Sequence, residues 1–575
     1  MNGGKRQQQQ NCHQERSAFS PRSPKRMRYN PSQRLMKRPA FLFLAAVLLI
    51  APAAADTYPR QMGVDALHYV FHITLSDETD EIEGESTVDV RVLQDGLKEF
   101  ALDLASASGG KGMTVSAVTS AGAPVPYTHA ADRLVLTLSP SAKSGERRQF
   151  TIRYRGIPAS GLYISKNKYG ERVFFSINWP NLAHQWLPMI DHPYDKATSE
   201  FFVTAPAKYQ VVANGLLQEK ADLGDGRRLT HWKQSVPIAS WLNAIGVAQF
   251  ASRQFGAVKG IPLETWVFHQ DRDNGITTFE TPTRQATEFY IDRIGPYPYE
   301  KLADVQASAP GFGGGTEHAS EIFYGAASVG ARPQTNLVAH EIAHQWFGDS
   351  VTEKDWDDVW LSEGFATYFT LLATEHYQGR DAFVAGLKRS RDSVFSLEER
   401  NPGVAVIHDN LADMRRVLNQ IIYQKGGWTL HMLRNQVGAA TFWEGIRDYY
   451  RRFRDSNAST DDFRKVMEEH SGQDLSWFFR QWLYRPGSPV VEGGWRYNPA
   501  TRKIEVELTQ TQPGDAYRLP LEVSVSFDGA AQPRGDNIEM TGKQQRFEIA
   551  ADQTPAAVIL DPNTWVLMEA HFAKR

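Results

Sequence analysis

Residues 336–369 read NLVAHEIAHQWFGDSVTEKDWDDVWLSEGFATYF, and their spacing decides how the rest of the chain is read. Residues four apart lie on one face of an α-helix, so His340 and His344 can aim two imidazoles at one cation while Glu341 stands beside them. Two imidazoles leave a catalytic zinc short of a ligand, since such sites use three protein ligands and keep a fourth position open. Glu363 is the candidate third ligand. It follows His344 after eighteen intervening residues, in a segment whose apolar positions suit a second helix packed on the first. The expected set is His340, His344 and Glu363 around one Zn2+, with Glu341 free to act as a base. A bare His-Glu-x-x-His also arises by accident, but Trp346-Phe347-Gly348, Val351-Thr352, Trp356 and Glu363-Gly364-Phe365-Ala366 accompany this one.

Moving outward, Gly311-Phe312-Gly313-Gly314-Gly315-Thr316-Glu317-His318 lies upstream, and Tyr423-Gln424-Lys425-Gly426-Gly427 begins sixty residues after Glu363. Together these segments resemble the aminopeptidase N family of zinc metallopeptidases, which includes the leukotriene hydrolase branch. The resemblance implies that Glu317 binds the free α-amine of a peptide and that Tyr423 donates a hydrogen bond to the oxyanion. Gly314 and Gly315 are expected on an exposed strand edge, where small residues let a peptide backbone pair with the sheet. Thr316 and His318 stand where the family carries Met and Asn. Three readings of His318 stay open: a neutral donor behind the site, a cation opposing an incoming ammonium, or a surface residue. Trp179 aligns with a family Gln that lines the first substrate pocket.

The Gly-rich segment lacks the Lys-Ser/Thr of a phosphate-binding loop and any dinucleotide spacing, so it is not read as a phosphate cradle. The chain holds 63 basic and 66 acidic residues, but residues 1–55 contain ten of the bases and only Glu15 among the acids. The remainder therefore carries 53 against 65, a balance of −12, which excludes the basic footprint of a nucleic-acid binder. Residues 1–55 are read as a polar leader followed by a signal peptide. Its basic start is Met36-Lys37-Arg38, its apolar stretch Phe41 to Ile50, and its small-residue cleavage site ends at Ala55. Export to the periplasm or the medium is expected, with a retained N-terminal anchor as the alternative. The initiator is Met1 or Met36, and a start at Met36 makes the signal peptide conventional. The sole cysteine, Cys12, lies in the leader, so disulfides are not expected in the remainder.

The expected architecture is multidomain α+β. Residues 56–270 alternate apolar and polar positions at period two, as in His68 to Leu75 and Ser86 to Val92, and read as a β-saddle or sandwich. Residues 271–490 read as a thermolysin-like, mostly helical catalytic domain, with a helix from Thr281 to Ile294 and another starting at Ser459-Thr460. Residues 491–575 read as a small β-sandwich, with no stretch matching the large helical C-terminal domain of longer family members. The function implied is a zinc aminopeptidase acting on peptides with a free N-terminus. Two alternatives remain: another hydrolase on the same site, such as an endopeptidase or epoxide hydrolase, or a non-catalytic peptide-binding protein. Side-chain preference and oligomeric state leave no sequence signal.

Overall fold

Strand pairing at the N-terminal end follows directly from residue alternation. Val64–Thr74 and Ile82–Val92 bury every second side chain over most of their length and pair antiparallel, with His72 opposite Glu85. These assignments come from a computed structural model that describes residues 56–575, apart from 409, 410, 412, 413, 415, 416, 530 and 531. The leader and signal-peptide reading therefore lies outside the described residues.

Both strands belong to an eight-stranded sheet, in which Val64–Thr74 also pairs in parallel with Lys196–Pro206. A four-stranded sheet (162–166, 172–176, 210–213, 245–248) and a three-stranded sheet (97–103, 127–130, 133–142) complete the N-terminal β-rich domain. Trp186 and Leu187 are buried in its core, alongside Phe71, Phe174 and Phe201. The turns at Asp95-Gly96 and Asn214-Gly215 place both glycines at positive φ, +75° and +74°, where a side chain is strained.

A five-stranded sheet then carries the chain into the catalytic domain. Its order is Phe250–Val258, Ile261–Phe268, Leu302–Ala307, Glu321–Gly325, Gly315–Thr316. Strands from both sides of residue 270 share this sheet, so the main chain changes from all-β to helical within one hydrogen-bonded layer. Gly315–Thr316 occupies its edge, paired antiparallel only with Glu321–Gly325.

Among the described residues the longer helices are α1 (Arg272–Arg293), α2 (Thr335–His344), α3 (Trp360–Gln378), α4 (Arg380–Arg400), α5 (Gln420–Val437), α6 (Ala439–Phe453) and α7 (Thr460–Ser471). The expected helix at Thr281–Ile294 is the second half of α1, which starts at Arg272 and holds Pro282 inside. Burial of Phe279, Ala286, Phe289 and Tyr290 outweighs the hydrogen bond that the proline cannot make. Ser459 caps α7 in a reciprocal capping box with Asp462. Beyond a short helical turn at 476–484, a four-stranded and a three-stranded sheet form the C-terminal β unit. Ile504, Val506 and Leu508 face inward, as do Leu521, Val523 and Val525, and their core is continuous with that of the helices. Among the described residues no helix is long and apolar enough to cross a membrane.

Candidate metal centre

The ligand trio comes from two helices in contact. α2 places His340 and His344 one turn apart, and α3 supplies Glu363 from its first turn. The Nε2 atoms of the two histidines lie 3.2 Å apart, and each is 3.3 Å from Glu363 Oε2. Zinc bonds of about 2.0–2.1 Å at tetrahedral angles separate ligand atoms by about 3.3–3.4 Å, so this triangle has the size zinc requires. Charge agrees with geometry. Burial and then the neighbouring Glu317 push the Glu341 carboxyl well above its ordinary range, a repulsion that a dication relieves.

His344 is oriented from behind. Its Nδ1 lies 2.9 Å from Ser362 Oγ and 3.2 Å from the Phe347 carbonyl, which fixes the proton on Nδ1 and leaves the Nε2 lone pair facing the site. Gly348, at φ +113°, makes this approach possible, because a Cβ there would stand 2.2 Å from Ser362 Oγ.

Glu341 is not part of the triangle. Its carboxylate instead groups with Glu317 and His344 and lies beneath the edge strand, where a Cβ on Gly315 would come within 2.4 Å of its Cδ. Glu317 is 5% exposed, and its Oε1 has no hydrogen-bond partner among the described residues. Its backbone is held by Gln345, which donates to the Glu317 carbonyl at 3.1 Å and to Asp349 Oδ2 at 2.7 Å, and accepts from Ser320 N at 2.8 Å.

Tyr423 arrives on α5, which crosses α3 with glycine against glycine. A Cβ on Gly364 would meet the Gly426 backbone at 3.0 Å, so the helices touch along their main chains. That closeness lets the Tyr423 hydroxyl donate to Glu363 Oε1 at 2.7 Å. Burial, followed by the Glu363 charge, pushes the phenol far up, so it remains a donor. Lys425 anchors the same turn, donating to Glu398 at 2.9 Å and to the Gly487 carbonyl at 2.7 Å.

One cleft of about 590 Å³ gathers these parts. Its lining includes His340, Glu341, His344, Glu363, Glu317, Gly314, Gly315 and Tyr423, so the structure brings together the expected metal ligands, catalytic residues and substrate-binding residues. The surface reading of His318 is corrected. The ring is fully buried, packed edge-on against Phe323 at 4.7 Å, and burial lowers its pKa to about 3, so it is neutral. Trp179 packs on Trp356 and Trp241 at 5.2 and 6.1 Å and is not among the residues lining the cleft. Sequence reasoning missed Ser362 and Gln345, and took Gly348 only as a companion of the motif. Each flanks a motif residue, but nothing in the spacing marks which neighbour of a ligand turns toward it.

Fold and site together define a zinc metallopeptidase-type centre of the His₂Glu kind. The model of the peptidase M1 N-terminal domain matches residues 65–242, and that of the peptidase family M1 domain matches residues 317–482, together more than half of the chain. The chain belongs to peptidase family M1. Glutamyl aminopeptidase of Rattus norvegicus is 28% identical over 60% of this chain and 38% of its own length. Tricorn protease-interacting factor F2 of Thermoplasma acidophilum is 27% identical over 58% of this chain and 43% of its own. The chain thus spans well under half of these curated relatives. The M1 zinc metallopeptidase of Deinococcus radiodurans is structurally similar, with TM-score 0.65, 27% identity, 74% of this chain and 95% of that one covered. A mutant of that enzyme has been solved with a Tyr-Ser-Ala substrate bound.

Proposed function

We propose that this chain removes the N-terminal residue from peptides as a zinc aminopeptidase. The observation that carries the reading is Glu317, a buried carboxylate with a free Oε1, grouped with Glu341 and His344 at the ligand triangle. A carboxylate there pairs with an α-ammonium and sets the first peptide bond at the centre. An acetylated N-terminus lacks the charge and leaves Glu317 without its partner.

The residues divide the work. His340, His344 and Glu363 hold zinc, which when bound supplies Lewis acidity toward a carbonyl and toward water. Glu341 takes the proton of the attacking water on a carboxylate oxygen and delivers it to the departing amine. Tyr423 turns its hydroxyl from Glu363 Oε1 to the carbonyl oxygen as charge develops there. The edge strand Gly315–Thr316, with Gly314 just before it, pairs with the substrate main chain.

The test measures initial rates of zinc-loaded protein on free aminoacyl fluorogenic amides, each beside its N-acetyl form, with Glu341→Gln as control. Release from free amines only, lost in the variant, supports the exopeptidase. Equal rates on blocked substrates remove Glu317 from amine binding and favour an endopeptidase. Export through residues 36–55 belongs to the same proposal, and N-terminal sequencing of the mature protein decides it: a start near Asp56 supports it, and an intact leader overturns it.

A further inference from the structure

The cleft has two differently charged ends. Glu317, Glu341 and Glu363 crowd one of them, and among the described lining residues Arg389 of α4 is the single guanidinium. That guanidinium has no ion pair or hydrogen bond among the described residues, although the acid-rich surface pairs most of its arginines. Arg389 is solvent-exposed at the cleft, and its side chain lies along α4. One of its terminal nitrogens lies 3.8 Å from where a Cβ of Gly386 would stand, and that same Cβ would press Leu371 Cδ2 at 2.5 Å, so the guanidinium folds back over the Gly386–Leu371 contact.

The floor between the two ends is one face of α3. Glu363, Thr367, Thr370 and Leu371 all line the cleft, at the i, i+4, i+7 and i+8 positions that share a helix face. Eight residues at 1.5 Å per residue put Leu371 about 12 Å along the axis from Glu363. An extended peptide advances about 3.3–3.6 Å per residue. With its first carbonyl at the ligand triangle, the carboxylate of a third or fourth residue comes within contact distance of Arg389. The polar residues between, Thr367, Thr370 and Ser390, bring no charge of their own.

We infer that Arg389 is a specificity-determining residue that receives a substrate carboxylate three or four residues from the N-terminus, so that short free-acid peptides are preferred. The inference rests on the aminopeptidase reading for the direction of the chain, but its test does not depend on turnover. A C-terminal α-carboxylate and an acidic side chain offer the same chemistry, and the test separates them.

Affinities are measured by calorimetry for the zinc-loaded Glu341→Gln protein with and without Arg389→Met. The ligands are a neutral tripeptide acid, its C-terminal amide, and a tripeptide amide with Asp at the third position. The parent is expected to bind the acid about three- to tenfold more tightly than the amide, with the ratio falling to about one in Arg389→Met and inverting in Arg389→Glu. Tight binding of the Asp amide shows that a side-chain carboxylate serves, and weak binding assigns the C-terminal one. Equal affinity for acid and amide in the parent, or a preference that survives Arg389→Met, overturns the inference. Binding with this pattern but no turnover by the wild-type protein on aminoacyl amides defeats the proposed reaction and leaves the role of Arg389 standing.

Discussion

A methyl group on Gly315 tests how the general base is held. The backbone there is not in the left-handed region, so Ala is tolerated conformationally, yet its Cβ would lie 2.4 Å from Glu341 Cδ. Glu341 sits on a buried helix and cannot move away as a whole, so its carboxylate must rotate. Misplacing a proton-transfer group by about 1 Å costs on the order of 10²-fold in rate. Gly315→Ala should therefore lose about that much kcat while retaining one zinc per chain, measured by steady-state rates and elemental analysis. Unchanged kcat would mean that the edge strand yields instead. Ser362→Ala should do the reverse, weakening zinc about 10- to 100-fold through loss of the His344 Nδ1 partner, as competition with a chelator would report. At this scale the ligands were legible because helix spacing alone aims His340 and His344. The clash beneath Gly315 and the Ser362 contact were not, because both depend on distances between segments far apart in the chain.

Helix α3 owes its position to α5. With Gly364 against Gly426, the main chains meet more closely than any side chain allows, and the Tyr423–Glu363 hydrogen bond depends on that distance. Gly364→Ala places a methyl 3.0 Å from backbone atoms that cannot swing aside, so the helices must separate by a few tenths of an ångström. The expected result is a loss of about 1–3 kcal/mol in stability and a lower kcat with zinc content unchanged. Denaturant melts and rates would check it, and a variant with full stability and full activity would refute the close-contact account. Period-two and period-3.6 patterns made legible the strands at 68–75 and 86–92, the second half of α1 and the capped start of α7. They did not say which sheet a strand joins. Phe250–Val258 and Ile261–Phe268 read as continuing the β run before them, but Ile261–Phe268 pairs with Leu302–Ala307, across α1, and that pairing carries no local signal. The expected helix began at Thr281, whereas apolar burial on both sides of Pro282 extends α1 back to Arg272.

Across the whole molecule, Lys196 ties the N-terminal sheet to the loop that follows α2. It begins the strand Lys196–Pro206, and its Nζ donates to the Asp349 and Ser350 carbonyls at 3.0 and 2.8 Å, to Thr352 Oγ1 at 2.9 Å and to the Ser456 carbonyl at 3.3 Å. That loop leads out of His344 and contains Asp349, which Gln345 links back to Glu317, so the contact supports the amine end of the cleft from the neighbouring domain. Burial lowers the Lys196 pKa to about 8, against the pull of Asp455, Asp349 and Glu353. The sign of the pH effect follows. Between about 8 and the ordinary 10.5 the folded form binds fewer protons than the unfolded one, so stability from this group rises with pH across that window, and the cost of enclosing the charge is fully present below it. Lys196→Met removes the titration and takes one donor from each of the Asp349 and Ser350 carbonyls, which keep Thr352 Oγ1 at 2.8 Å and Ser456 N at 3.2 Å, a loss of about 0.5–1.5 kcal/mol per hydrogen bond. The melting temperature of the wild type should therefore exceed that of Lys196→Met at pH 7, and the gap should widen between pH 8 and 10. Hydrogen exchange should quicken in both 196–206 and 349–352, because three of the four Lys196 contacts join these two segments. A gap that is flat with pH would place the Lys196 ammonium in solvent, and exchange confined to one segment would mean that the domains are joined elsewhere.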